Sequence, residues 1–206
     1  EQVLLLPSHS HTSIEMNAIN PLNTFAVPQI GIFSPRVYEF FMERLVRVIQ
    51  DADKQLVPVS VGTTAATLEG WNRNRRGGAV TDKQLTVTRV DTREGKPLAV
   101  LVNFTAHPTF MSGEDMWFSG DWPGHLQRTV ESLVGEGVTA MYYNGAEGDQ
   151  APQGRPDAGE SRWERAERYG RDLGIVCYKQ WQQTRPHADV EFKFHLHTFP
   201  LPERTW

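Results

Sequence analysis

A chain of 206 residues, 39% of them hydrophobic, is long enough to bury one large core, and nothing in its composition divides it, so a single domain is expected. Its formal net charge of −4, with Lys and Arg scattered along the chain, leaves no electrostatic footprint for a nucleic-acid backbone or an anionic membrane. The single cysteine, Cys177, excludes an intrachain disulfide and a cysteine zinc cluster, so any metal must be held by histidines and carboxylates.

Taken in chain order, the apolar run Val3-Leu4-Leu5-Leu6 reads as a buried strand that ends at once in "PSHSHTS". Ser34 as cap, Pro35 at the first turn and apolar Val37, Phe40, Phe41, Leu45, Val48 and Ile49 predict an amphipathic helix to about Gln55. Residues 56–61 read as a strand, followed by the Gly- and Arg-rich "EGWNRNRRGG". The alternation over 84–90, the turn "DTREGKP" and the more apolar 98–104 predict a hairpin. Asp121 as cap, Pro123 in the first turn and Gly135 or Gly137 as the stop bound a second helix. Residues 138–143 are strand-like. Ser161 and Glu164 form a capping box, and Trp163, Ala166, Leu173, Val176 and Cys177 stripe a third helix to about Gln183. Residues 190–199 alternate as a last strand. Interleaved strands and helices predict an α/β fold, a layered domain with a mixed β-sheet flanked by helices. No apolar run approaches the roughly 20 residues of a membrane-spanning helix, and the first residues lack the basic-then-apolar order of a secretory signal.

Three loops directly follow predicted strands: "PSHSHTS", "AHPTFMSGEDMWFSGDWPG" and "NGAEGDQAP". In layered α/β folds ligands gather where such loops converge, so His9, His11, His107, Asp121, Glu147 and Asp149 are expected to share one pocket. Each has a plainer reading beside it. His9 and His11 lie on one side of an extended backbone and serve as metal ligands, or as outer contacts in a polar turn. His107, held extended by Pro108, is a ligand or a satisfied structural group. Asp121 is a site carboxylate or a helix cap, and Asp149 a site carboxylate or a turn former. The arginines of "NRNRR" are a solvated cluster or a fork for a carboxylate or oxyanion. His195 and His197 alternate with Phe192, Phe194, Leu196 and Phe199 and read as the solvent face of a strand. His125 inside the second helix and His187 beside a proline receive no role.

In order, "EQVLLLPSHSHTS", "NRNRR", "LVNFTAHPTFM", "FSGDWPGHLQRTVE" and "NGAEGDQAP" resemble five motifs of the N-terminal catalytic domain of the neutral/alkaline, non-lysosomal ceramidases and their bacterial relatives. The resemblance implies a zinc hydrolase that cleaves an amide (N-acyl) bond of a small-molecule or lipid substrate, with His9 and His107 as metal ligands. It implies His11 as a substrate or oxyanion contact, assisted by an arginine of the Asn-Arg motif, Arg75 by preference or else Arg73. Asp121 and Asp149 complete the candidate set. Zinc in such a site lowers the pKa of a bound water from 15.7 to about 7 and polarises the carbonyl. The resemblance also implies a periplasmic or extracellular location, and a chain incomplete at both ends, because family members have strands upstream and a glutamate and a tyrosine ligand downstream. Two departures stand out. Ala151 occupies the position of the family's Gly-Asp-x-Ser-Pro serine, so a serine-dependent ceramidase mechanism is not implied. Ser13-Ile14-Glu15 replaces the usual Gly-Pro-Gly-Gly, so the substrate mouth is expected to differ.

Overall fold

A computed structural model describes residues 3–24, 27, 31–154, 157–193, 195, 197–200 and 202. The α/β expectation holds. The hairpin forms β3 (Gln84–Thr92) and β4 (Pro97–Phe104), antiparallel, with Gly95 at φ 83° in the turn between them. That left-handed φ is the reason glycine stands there. β1 (Val59–Thr67) adds antiparallel to β3, and β5 (Thr139–Asn144) adds parallel to β4, giving a mixed sheet in the order β1-β3-β4-β5. Parallel β4 and β5 require a crossover, which α2 (Asp121–Val134) supplies. A second, two-stranded sheet pairs β2 (Asn72–Asn74) with β6 (Gln150–Pro152). The sequence pattern does not announce this sheet, because three-residue strands carry no periodicity.

The core follows from the two periodicities. Leu85, Val87, Val100, Val102 and Phe104 of the sheet meet Trp122, Leu126 and Val130 of α2. From α3 (Arg162–Gln183) come Ala166, Tyr169, Leu173 and Cys177. Each large apolar side chain removed from water here contributes about 1.5–3 kcal/mol. Trp122 is fully buried with its ring edge-on to Tyr142 (4.8 Å between centroids) and Tyr169 (5.2 Å). The two helices cross closely where Gly170 lacks a side chain: a Cβ there would run into the Trp122 carbonyl. Ser161 and Glu164 form the expected capping box, and α3 ends at Gln183 as anticipated.

Three expectations are corrected and one, the first helix, holds without burying its stripe. Val3 to Leu6 form no strand and are exposed. An apolar run becomes a buried strand only beside a partner that takes up its N–H and C=O groups, and the chain merely touches the end of β5, where Asn144 N donates to Pro7 O. The strand expected at 56–61 begins at Val59 and runs on to Thr67, with Leu56 and Val57 exposed. Its limits are set by register with β3, and Gly62 lets Arg185 pass close enough for His187 to bridge Val61. The first helix forms as α1 (Pro35–Asp53), with Ser34 Oγ accepting from Val37 N. None of its residues is buried: the stripe fixes a helix but not a partner. The described residues of 190–199 form no strand, and Val190, Phe192 and Phe199 are exposed; Phe194 and Leu196 lie outside the described residues.

Candidate metal centre

The end of β5 collects the histidine loops. Asn144, its last residue, donates from Nδ2 to Ala106 O (3.0 Å) and Ser8 O (3.3 Å), while its Oδ1 accepts from Ala106 N (3.2 Å). One amide thereby binds the loop before His9 to the loop before His107. The far side of the first loop is pinned to Ser119, whose carbonyl accepts from Ser10 Oγ (2.7 Å) and Thr12 Oγ1 (3.0 Å) and whose N–H donates to Thr12 O (2.9 Å). Between these anchors His9 adopts φ 64°, a left-handed backbone uncommon outside glycine and concentrated at functional sites. The extended backbone expected at this pair is therefore absent, and the two rings meet regardless, with centroids 4.9 Å apart.

His107 completes a triangle, its ring centroid 4.8 Å from His9 and 5.3 Å from His11. One nitrogen of each ring lies within 4.8 Å of the others. His107 is buried, with Nδ1 at 2.6 Å from Glu147 O and 3.2 Å from Gln150 O. Carbonyl oxygens only accept, so Nδ1 carries the proton and Nε2 keeps its lone pair, the arrangement usual behind a metal-binding imidazole. His9 and His11 are exposed, which leaves the cluster open on one side, as a catalytic rather than a structural metal site requires. Burial, then the neighbouring His9, His107 and Arg75, lower the His11 pKa below its ordinary value against the opposing pull of Glu147. That direction favours the neutral form of His11, the form that binds a cation. Nitrogen donors in this number, open to solvent, fit zinc.

The β2–β6 pair brings the Asn-Arg motif to this cluster. Arg75 donates from Nε (3.1 Å) and Nη2 (2.8 Å) to Gly148 O and from its main-chain N to Asp149 O (2.8 Å). Its charge is felt at His11. Arg73 instead stands opposite Ala151 in the register. Asp149 accepts from Gln150 Nε2 and Asn74 Nδ2, both at 2.7 Å, and these bonds hold its carboxyl below the ordinary range. Asp121 is buried and outside the histidine triangle: Oδ2 accepts from Met111 N (2.8 Å) and Oδ1 from Trp122 N (2.6 Å). Desolvation pushes its pKa to about 6 against those hydrogen bonds. Nor is it the expected helix cap: Gly120 holds the N-cap position of α2 with no side-chain bond, and Asp121 is the first helical residue, at φ 51°. Ala151 is buried and brings no hydroxyl to the loop. Sequence reasoning passed over Asn144 and the Ser10, Thr12 and Ser119 clamp, whose only local signal is short polar residues at a strand end.

Among known proteins, the chain is 25% identical over 174 residues to neutral ceramidase B of Dictyostelium discoideum and 25% identical over 177 residues to that organism's neutral ceramidase A. These matches cover 74% and 75% of this chain. The chain is a neutral ceramidase-like relative over that part. Neutral ceramidase from Pseudomonas aeruginosa has the same fold over 73% of this ceramidase-like chain, with a TM-score of 0.62 at 19% identity. A ceramidase complexed with C2 superposes with a TM-score of 0.59. The ceramidase-like chain spans about a quarter of the length of the curated relatives it matches. No family model matches it.

Proposed function

We propose that this ceramidase-like chain belongs to a zinc-dependent hydrolase that cleaves an amide (N-acyl) bond of a small-molecule or lipid substrate. The observation that carries the reading is the convergence of His9, His11 and His107 with the Nδ1 proton of His107 committed to main-chain carbonyls. His9 and His107 would hold zinc, with His11 the third nitrogen in reach and the substrate or oxyanion contact. Zinc, when bound, would supply Lewis acidity toward the scissile carbonyl and toward water. The chain's own residues do the rest. Arg75, anchored on Gly148, offers its remaining amino group to the carbonyl oxygen as negative charge develops. Asp149 holds the Asn-Arg motif in place through Asn74. Asp121 acts through the loops it ties at Met111 and Trp122.

Because Ala151 has no hydroxyl, the reading assigns N-acyl hydrolysis without assigning ceramide. The same residue favours one alternative, a catalytically silent relative that uses the pocket to bind a lipid, glycan or protein partner. Elemental analysis of the purified protein beside His107→Ala, followed by a screen of N-acyl substrates, separates the two. About one zinc per chain, lost in the variant and accompanied by acyl release, supports the hydrolase. No zinc after supplementation, or zinc without turnover of any N-acyl compound, overturns it.

A further inference from the structure

We infer that Glu147 is a positioning residue that sets the tautomer of two of the three clustered histidines through two different atoms, an inference that rests on reading the cluster as a metal site. An imidazole that offers Nε2 to a cation must direct its Nδ1 proton to an acceptor. For His107 the nearer acceptor is the main-chain oxygen of Glu147 at 2.6 Å, with Gln150 O at 3.2 Å. For His9 the facing group is the side chain of the same residue, with Oε1 at 3.4 Å from Nδ1. The Glu147 side chain is only 18% exposed, and the His9 ring is the charge partner the structure sets against it.

The backbone supports this double duty. Glu147 opens a single 3-10 turn (Glu147–Asp149), in which its N–H donates to Gly145 O (2.9 Å) and its own carbonyl accepts from Gln150 N. The turn fixes the carbonyl toward His107 and leaves the side chain directed at His9. Glu147 is not one of the side chains whose ligand atoms lie within 4.8 Å of one another. The contact of its Oε1 with His9 Nδ1 assigns it as a support of His9 and not as a ligand. His9 and His107, on two loops far apart in sequence, thus both direct Nδ1 toward atoms of one residue.

The test uses the full chain labelled with 15N-histidine, metal-free and at about pH 8, where imidazoles are neutral, with long-range 1H–15N spectra read for wild type, Glu147→Ala and Glu147→Gln. In wild type, His9 and His107 both carry the proton on Nδ1. In Glu147→Ala only His9 moves toward the Nε2–H form, because His107 keeps its main-chain acceptor and so reports that the fold is intact. Glu147→Gln, whose amide oxygen still accepts, retains the wild-type tautomer. Zinc affinity by chelator competition falls about 10–100-fold in Glu147→Ala and returns to within a few-fold of wild type in Glu147→Gln. An unchanged His9 tautomer in Glu147→Ala, or a Gln variant as weak as the Ala variant, overturns the inference. Equal zinc affinity in wild type and Glu147→Ala overturns it and leaves the metal reading standing. A tautomer shift in a protein that takes up no zinc supports the positioning role and overturns the metal reading instead.

Discussion

This chain contains the pattern His-x-His twice, and the two copies behave differently. His9 and His11 sit on a loop clamped by Asn144 and Ser119, and a third imidazole from another loop closes on them to 4.8 and 5.3 Å. His195 and His197 are exposed, with rings stacked 6.4 Å apart, and belong to no group of ligand atoms among the described residues. The spacing is identical, and the rings of both pairs are near one another. What separates them is a partner brought from far along the chain and a set of acceptors behind it. A histidine pair becomes a candidate metal centre through its surroundings.

The widest gap between the copies is expected in metal binding. His107→Ala and His9→Ala should each weaken zinc binding by more than about 100-fold, since removing a ligand costs more than removing its outer support. The double change of His195 and His197 to Ala should leave affinity unaltered. Isothermal titration on the three proteins checks this, and a loss in the last would erase the distinction. Next comes Arg75→Ala, which should cost about 100-fold in kcat/KM on any N-acyl substrate found, by removal of an oxyanion donor, with zinc content unchanged. Simultaneous loss of zinc would make Arg75 part of the scaffold.

A smaller effect concerns Asp121, whose carboxyl titrates near pH 6 in the folded chain against 3.8 as its ordinary value. The folded state therefore binds the proton more tightly. The resulting stability is fully present below about pH 3.8 and is lost as pH rises through about 6, to a total of about 3 kcal/mol. Asp121→Asn should remove that slope from denaturant midpoints measured between pH 4 and 7. A slope that persists would assign it to another group.

The smallest effect is at His11. Its pKa is lowered, chiefly by burial, so the unfolded chain takes up the proton first and the metal-free fold should weaken as pH falls through about 6.5. His11→Ala should flatten this dependence in denaturant midpoints of the metal-free protein.

Much of this molecule was legible before its fold was known. The hairpin, the three helices and the Ser161–Glu164 capping box follow from alternation, periodicity and caps acting over a few residues. The three strand-following loops also placed His9, His11, His107 and Glu147 on common ground, whereas Asp121, expected with them, lies outside the histidine triangle. The errors share one cause. Residues 3–6, the described part of 190–199 and the apolar stripe of α1 have the patterns of buried elements, yet the first two are exposed and the stripe is at most half-buried, with Phe40 and Val48 exposed. Pattern describes what a segment would bury if something covered it.

The sequence by itself determined which residues could do chemistry and which segments could be helix or strand, because those properties reside in single side chains and their spacing. Tertiary structure alone decided that β2 pairs with β6, that Asn144 joins two histidine loops, and that Glu147 stands behind both His9 and His107. These depend on contacts between groups distant in the chain, which the core of β3, β4, β5, α2 and α3 holds together. Local pattern contains no record of them.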